Sequence, residues 1–237
     1  MLAIRTMGTT CAPLRAARAM ATAVTRSGGI VPSALASRLP RPSSSRASHA
    51  QRRCMSGFLA VPGVRRSLDE VAKLDMLNEE DPSRIGAIWE SFHESRDAVA
   101  GASLELGDFD RMRTRGAESP MFVFPIRRNE GHFMLFSQFS PADQMFVLTY
   151  LEEYQRNPLT AQPWASIILF DELVATKGVP LMRAEVAQDR LTKKEAEHLL
   201  LLYQRYYAKE STGYDKVWMF NHANRHFDLG SYLASCP

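Results

Sequence analysis

His222 and His226 stand four residues apart, a spacing that sets two imidazoles on one helix face, as zinc sites do. A metalloprotease of that pattern needs Glu directly after the first His, but Ala223 holds that position and no third ligand is evident. The pair therefore reads as surface or capping histidines. His93, beside Phe92, reads as a helix-surface residue rather than a general base, and His198 as the flank of an apolar stripe. Asp69, Glu70 and Asp75 read as helix-start charges. Glu152 and Glu153 are adjacent on an expected strand, so they point to opposite faces and cannot share an acid–base site. The chain has no Gly-x4-Gly-Lys-Ser/Thr loop, no Gly-x-Gly-x-x-Gly and no Gly-x-Ser-x-Gly elbow. These residues assemble no catalytic constellation, and nothing in them asks for catalysis.

The first 68 residues contain no Asp or Glu, while residues 1–66 hold 11 Arg and no Lys. Acid-free sequence rich in Arg, Ser and Ala is the composition of a mitochondrial targeting segment. A basic tail for nucleic acid or anionic lipid is the alternative, but such tails use Lys, in clusters. Arg53-Cys54-Met55-Ser56 resembles a matrix-peptidase site, so residues 1–55 are expected to be a presequence and 56–66 a linker. Residues 67–237 are then a single domain with 18 basic and 26 acidic residues, a net −8. An acidic body argues against nucleic acid as a partner. No apolar run approaches the length of a membrane span. Of Cys11, Cys54 and Cys236 only the last would survive cleavage, which leaves no internal disulfide and no zinc cage.

Ser67-Leu68-Asp69-Glu70 is a capping box that opens an expected helix over 68–77. Asp81 caps a second helix with Pro82 in its first turn. Its core stripe is Ile85, Ile88, Trp89 and Phe92, and Gly101 lies near its end. A third helix begins after Asp108. The period then changes from 3.6 to 2. Strands are expected over 120–126, 132–139, 144–154, 165–170 and 179–186, with a hairpin turn at Arg128-Asn129-Glu130-Gly131. Pro180 cannot donate to a ladder, so the last strand should lie at an edge or begin after it. Thr192-Lys193-Lys194-Glu195 opens a helix to about Tyr207, with Ala196, Leu199, Leu200, Tyr203 and Tyr207 inward. The fold class is α+β: a central, mostly antiparallel sheet of about five or more strands, flanked by N-terminal and C-terminal helices.

Both alternating sets of the middle strands are apolar. A sheet with one wet face should instead alternate apolar and polar. Either helices cover both faces, or part of one face is an exposed surface for another protein. The candidates for such a client-binding face are Phe122, Phe124, Met134, Phe136, Phe146, Leu148 and Tyr150.

Five blocks resemble, in order, the mitochondrial F1-ATPase assembly factors that chaperone the β subunit. They are residues 68–77, Ile88-Trp89 with Phe92-His93, Pro120 to Gly131, Lys177 to Glu185, and Phe220-Asn221-His222. The segment 140–164 departs from the familiar pattern. The resemblance implies a soluble matrix protein, imported by way of its presequence and the mitochondrial import machinery. Such a protein holds the unassembled F1 β subunit, shields the surface that will meet the α subunit, and yields it during hexamer assembly. It implies no cofactor, no nucleic acid and no membrane insertion, and the family has no catalytic residues to carry over. The competing expectations are a matrix small-ligand carrier or enzyme, with a pocket between the sheet and the 193–207 helix, and a structural subunit of a mitochondrial complex.

Overall fold

The computed structural model describes residues 61–129, 131–210 and 213–237. The presequence expected from composition and residues 56–60 of the linker lie outside the described residues. Both halves of the Ser67/Glu70 capping box form, but the helix expected over 68–77 is two turns, α1 (Leu68–Val71) and α2 (Leu74–Glu79). Ala72 between them is extended. In one continuous helix Leu77 would face about 180° away from Leu68. The break lets both side chains bury in the same apolar cluster.

Asp81 accepts from the Ser83 amide at 2.8 Å and caps α3 (Pro82–Glu94), which buries Ile85, Trp89 and His93. The helix stops well short of Gly101. Ala98 takes a left-handed backbone (φ 62°), and the chain enters a strand the sequence did not announce, β1 (Val99–Ser103). Next, α4 (Leu106–Glu118) buries Phe109, Met112 and Gly116.

The strands that follow are β2 (Met121–Arg128), β3 (Gly131–Ser140), β4 (Met145–Tyr150), β5 (Pro163–Phe170) and β6 (Leu181–Val186). They form one six-stranded sheet in the order β1-β6-β5-β4-β3-β2, and every neighbouring pair is antiparallel. The expected 144–154 strand ends at Tyr150 and continues as α5 (Leu151–Arg156), so Glu152 and Glu153 lie in a helical first turn. A short α6 (Val174–Lys177) ends at Gly178, whose φ of 68° needs a residue without Cβ. β6 is an inner strand, and it begins after Pro180, whose carbonyl accepts the Leu104 amide at 3.0 Å.

The second capping box opens α7 (Lys193–Tyr203), which runs on as a π-helical turn, Gln204–Ala208. All five residues expected to face inward are buried. Then come α8 (Gly213–His222), a short 3-10 turn and α9 (Leu229–Ser235). One sheet face packs under α4, α7 with its π turn, α8 and α9. The other packs under α1, α2, α3 and α5. All these elements belong to one compact unit. Among the described residues no helix is long and apolar enough to cross a membrane.

Candidate functional site

Register decides where the seven sheet candidates go. Phe122 pairs with Ser137, Phe124 with Leu135, Ser137 with Leu148, Leu135 with Tyr150 and Phe139 with Phe146. Paired residues share a face, so Phe122, Phe124, Phe146, Leu148 and Tyr150 lie on the face under α7. Met134 and Phe136, one residue out of phase, lie on the opposite face. The set expected as one surface is divided between two.

Burial divides it again. Phe122, Phe124, Phe146 and Leu148 are fully buried. Tyr203 packs on Phe124 and Phe146 (ring centroids 4.8 and 4.6 Å), Tyr207 on Phe146 (4.9 Å), and Tyr206 and Tyr232 on Phe122 (5.5 and 5.2 Å). The Tyr203 hydroxyl meets Ser137 Oγ at 2.5 Å. On the other face, Tyr154 of α5 covers Phe136 at 4.4 Å. Four of the seven are therefore core under the C-terminal helices, and a fifth is core under α5. Met134 and Tyr150 keep part of their surface. Hydrophobic alternation cannot tell an exposed apolar face from a roofed one, because both place the same side chains on it.

Sequence reasoning found Tyr150 but missed the rings that share its surface. Tyr150 stacks on Trp164 at 4.9 Å, and Phe133 meets Trp164 at 5.8 Å. Trp164 lies beside a bulge in the β4–β5 pairing, and all three rings are half-buried. Arg128 and Arg190 lie over Phe133 and Trp164. On the opposite flank, Ala72, Met76, Leu77, Ile88 and Phe92 line an apolar cleft of about 250 Å³, where Met76 is 59% exposed. A larger groove of about 710 Å³ runs beside β1 between α3 and α7. The exposed Met was visible in the sequence. The stacked rings needed the bulge.

The potentially chemical residues are placed by packing. His93, expected on a helix surface, is buried against β1 and the Trp89 ring (4.2 Å). Its Nδ1–H donates to the Trp89 carbonyl at 2.8 Å, which leaves Nε2 as an acceptor with no partner. Burial, with the cations of Arg183, Arg96 and Lys193 adding to it, pushes the imidazole down to about 4. It is neutral near pH 7. Arg183 and Glu185 form a buried ion pair at 3.1 Å on β6. Burial drives the guanidinium down and the carboxyl up, each opposed by its partner. Asp108 is also buried, which would raise it, but Lys209 and Arg111 at 2.5 Å hold it below the usual carboxylate range. His222 ends α8 and reaches Ser119 Oγ at 3.2 Å, whereas His226 lies in the 3-10 turn beyond it. Among the described residues no cluster of three His, Cys, Asp or Glu is disposed to hold a metal.

The five sequence blocks meet in two groups, one around α3 and β6 and the other at the β2 edge. Leu68, Val71 and Leu77 share one apolar cluster with Trp89 and Leu181, and Trp89 Nε1 donates to the Met182 carbonyl at 3.0 Å. Asn221 bonds both backbone groups of Met121, receiving its amide at 3.1 Å and donating to its carbonyl at 2.6 Å.

A family model described as ATP11 protein matches residues 33–231. The chain is 26% identical over 157 residues to "Protein atp11, mitochondrial" of Schizosaccharomyces pombe, covering 64% of this chain and 53% of that protein. It is 26% identical over 170 residues to "ATP synthase mitochondrial F1 complex assembly factor 1" of Homo sapiens, covering 71% and 51%. The protein of the same name in Danio rerio is 23% identical over 170 residues, covering 71% and 55%. The chain spans about half the length of these curated relatives. The family match extends over most of the chain and takes in all five blocks, so this protein belongs to the ATP11 family.

Proposed function

We propose that this protein is a mitochondrial assembly chaperone that binds the unassembled F1 β subunit, covers its α-facing interface and hands it over during hexamer assembly. The observation that carries this reading is the family match over residues 33–231, together with relatives named as F1 complex assembly factors. We further propose that residues 1–55 are a presequence removed in the matrix, residues 56–66 a linker and residues 67–237 the client-binding domain.

The physical case is one of temporary cover. Subunits of an alternating ring carry large apolar interfaces that aggregate when left open. A holder must offer adaptable apolar area without binding irreversibly. Met134, Tyr150 and the half-buried rings beside it supply such area, as does the cleft around Met76. Phe122, Phe124, Phe136, Phe146 and Leu148 stay beneath the roof unless it moves. Release needs no bond chemistry, because an α subunit with a larger interface displaces the holder by mass action. The side chains best suited to catalysis, His93 and the Arg183–Glu185 pair, are largely committed to packing and to each other, in keeping with a non-enzymatic role.

The test is a competition pull-down. Immobilised protein should retain isolated β subunit and release it when purified α is added. Failure to retain β overturns the proposal, and retention without release calls for another handover step. A matrix carrier using the groove beside α7 would instead yield a bound small molecule in native mass spectrometry.

A further inference from the structure

The sheet has two edges, and they are finished differently. At β2, Asn221 satisfies the amide and carbonyl of Met121, and the Tyr232 hydroxyl donates to the Val123 carbonyl at 2.7 Å. At β1, the Val186 amide donates to Ala98 and the Leu104 amide to Pro180, both toward β6. An antiparallel strand alternates the direction of its backbone groups. Ala98, Ala100, Ala102 and Leu104 therefore point at β6, and Val99, Gly101 and Ser103 point away. Val99 is buried, but Gly101 and Ser103 are partly exposed on the edge, and no described residue bonds their outward groups. A row of free N–H and C=O groups on a sheet edge is a template for another strand.

The edge is the floor of the 710 Å³ groove. Its residues are small (Ala100, Gly101, Ala102, Ser103), and α3 and α7 are its walls. The walls carry Glu90, Glu94 and Glu197, and among the described residues none of the three is in an ion pair. The one cation in the lining, Lys193, is already engaged: its ammonium donates to the His93 carbonyl at 2.8 Å and to the Glu94 carbonyl, bridging α7 to the end of α3. His93 lines the same groove, nearly fully buried, with Nε2 an acceptor lacking a donor.

We infer that the free edge of β1 receives an extended, Lys- or Arg-bearing segment of the F1 subunit as a seventh strand, with its cations against Glu90, Glu94 and Glu197. This rests on the assembly-chaperone reading and adds to it the mode of capture. Strand addition takes its affinity from main-chain bonds and its choice of partner from the groove walls. A shallow floor of Ala and Gly admits a segment with small side chains, and the acidic walls reject an acidic one.

The experiment follows backbone amide exchange in the full chain, alone and with isolated F1 β subunit. It is repeated with the double variant Glu90→Lys/Glu197→Lys, whose two sites are exposed and outside the core. The Gly101 and Ser103 amides should exchange freely in the free chain and slow at least about tenfold in the complex. The double variant should keep its fold and lose about tenfold in affinity at low salt, a loss that shrinks as salt rises. If both amides are already protected in the free chain, the edge is occupied by the chain's own Arg-rich N-terminal segment or a second copy, and the client assignment falls. If β binds with those amides unchanged, or binds the double variant equally well, the edge proposal falls and the chaperone reading stands. If β does not bind at all, both fall.

Discussion

Burial sets the chemistry of His93. In an unfolded chain the imidazole titrates near 6.5, whereas in the fold it is held down to about 4. Between those values the unfolded state carries a proton that the native state refuses, so stability is complete above about pH 6.5 and declines as pH falls toward 4. Over the whole window the loss is about 3 kcal/mol, and between pH 7 and pH 5 about 2 kcal/mol. His93→Gln should remove that part of the slope. Urea unfolding of both proteins at the two pH values checks it: parallel losses would mean that the histidine is not the sensor. The Arg183–Glu185 pair makes the complementary point. Each charge is tolerable because the other is 3.1 Å away, so the two depend on each other in the core.

At the scale of elements, the contact that organises this flank is α3 on β1. A Cβ on Gly101 would stand 2.5 Å from His93 Nδ1 and 2.7 Å from Trp89 Nε1. Both ring atoms are already committed, one to the Trp89 carbonyl and one to the Met182 carbonyl, so neither retreats without losing a bond. Gly101→Ala should destabilise the protein by about 1–3 kcal/mol, as overpacked cores do. Thermal or urea unfolding reads this directly, and a neutral result would show that α3 can lift from the strand at little cost. The same contact explains why β1 escaped the sequence. Val-Ala-Gly-Ala-Ser lacks the bulky β-formers that mark a strand, because the floor under α3 must be small. The split between α1 and α2 was hidden for a related reason. The local pattern was helical enough, and only the need to bury Leu68 and Leu77 in one cluster forced the turn at Ala72.

The unit that holds all the described elements is an aromatic-cored sheet roofed on both sides, and among the described residues its apolar surface is left in patches rather than across a face. This arrangement suits the proposed chaperone, which would have to remain separate until it meets a client. Charge belongs to this scale as well. The basic excess of the full chain resides in residues 1–66, and the remainder is acidic. Protein recovered from mitochondria should therefore begin at or close to Ser56 and bind an anion exchanger near neutral pH. N-terminal sequencing decides it, since a chain beginning at Met1 would mean that the Arg-rich segment is retained and works in the mature protein.

Much was legible from the chain alone. Both capping boxes form, as do the hairpins between residues 121 and 150, the inward stripe of α7 and the α+β class, because each depends on neighbours in sequence: a hydroxyl three residues from a carboxylate, a turn between alternating runs. What the tertiary structure alone decided was coverage. Whether Phe122 or Phe146 is surface or core depends on tyrosines 57 to 110 residues away in the chain, and which strand edge is left open depends on where Asn221 and Tyr232 come to rest. Local sequence encodes which side of a strand is greasy. Only long-range packing determines what, if anything, lies over it.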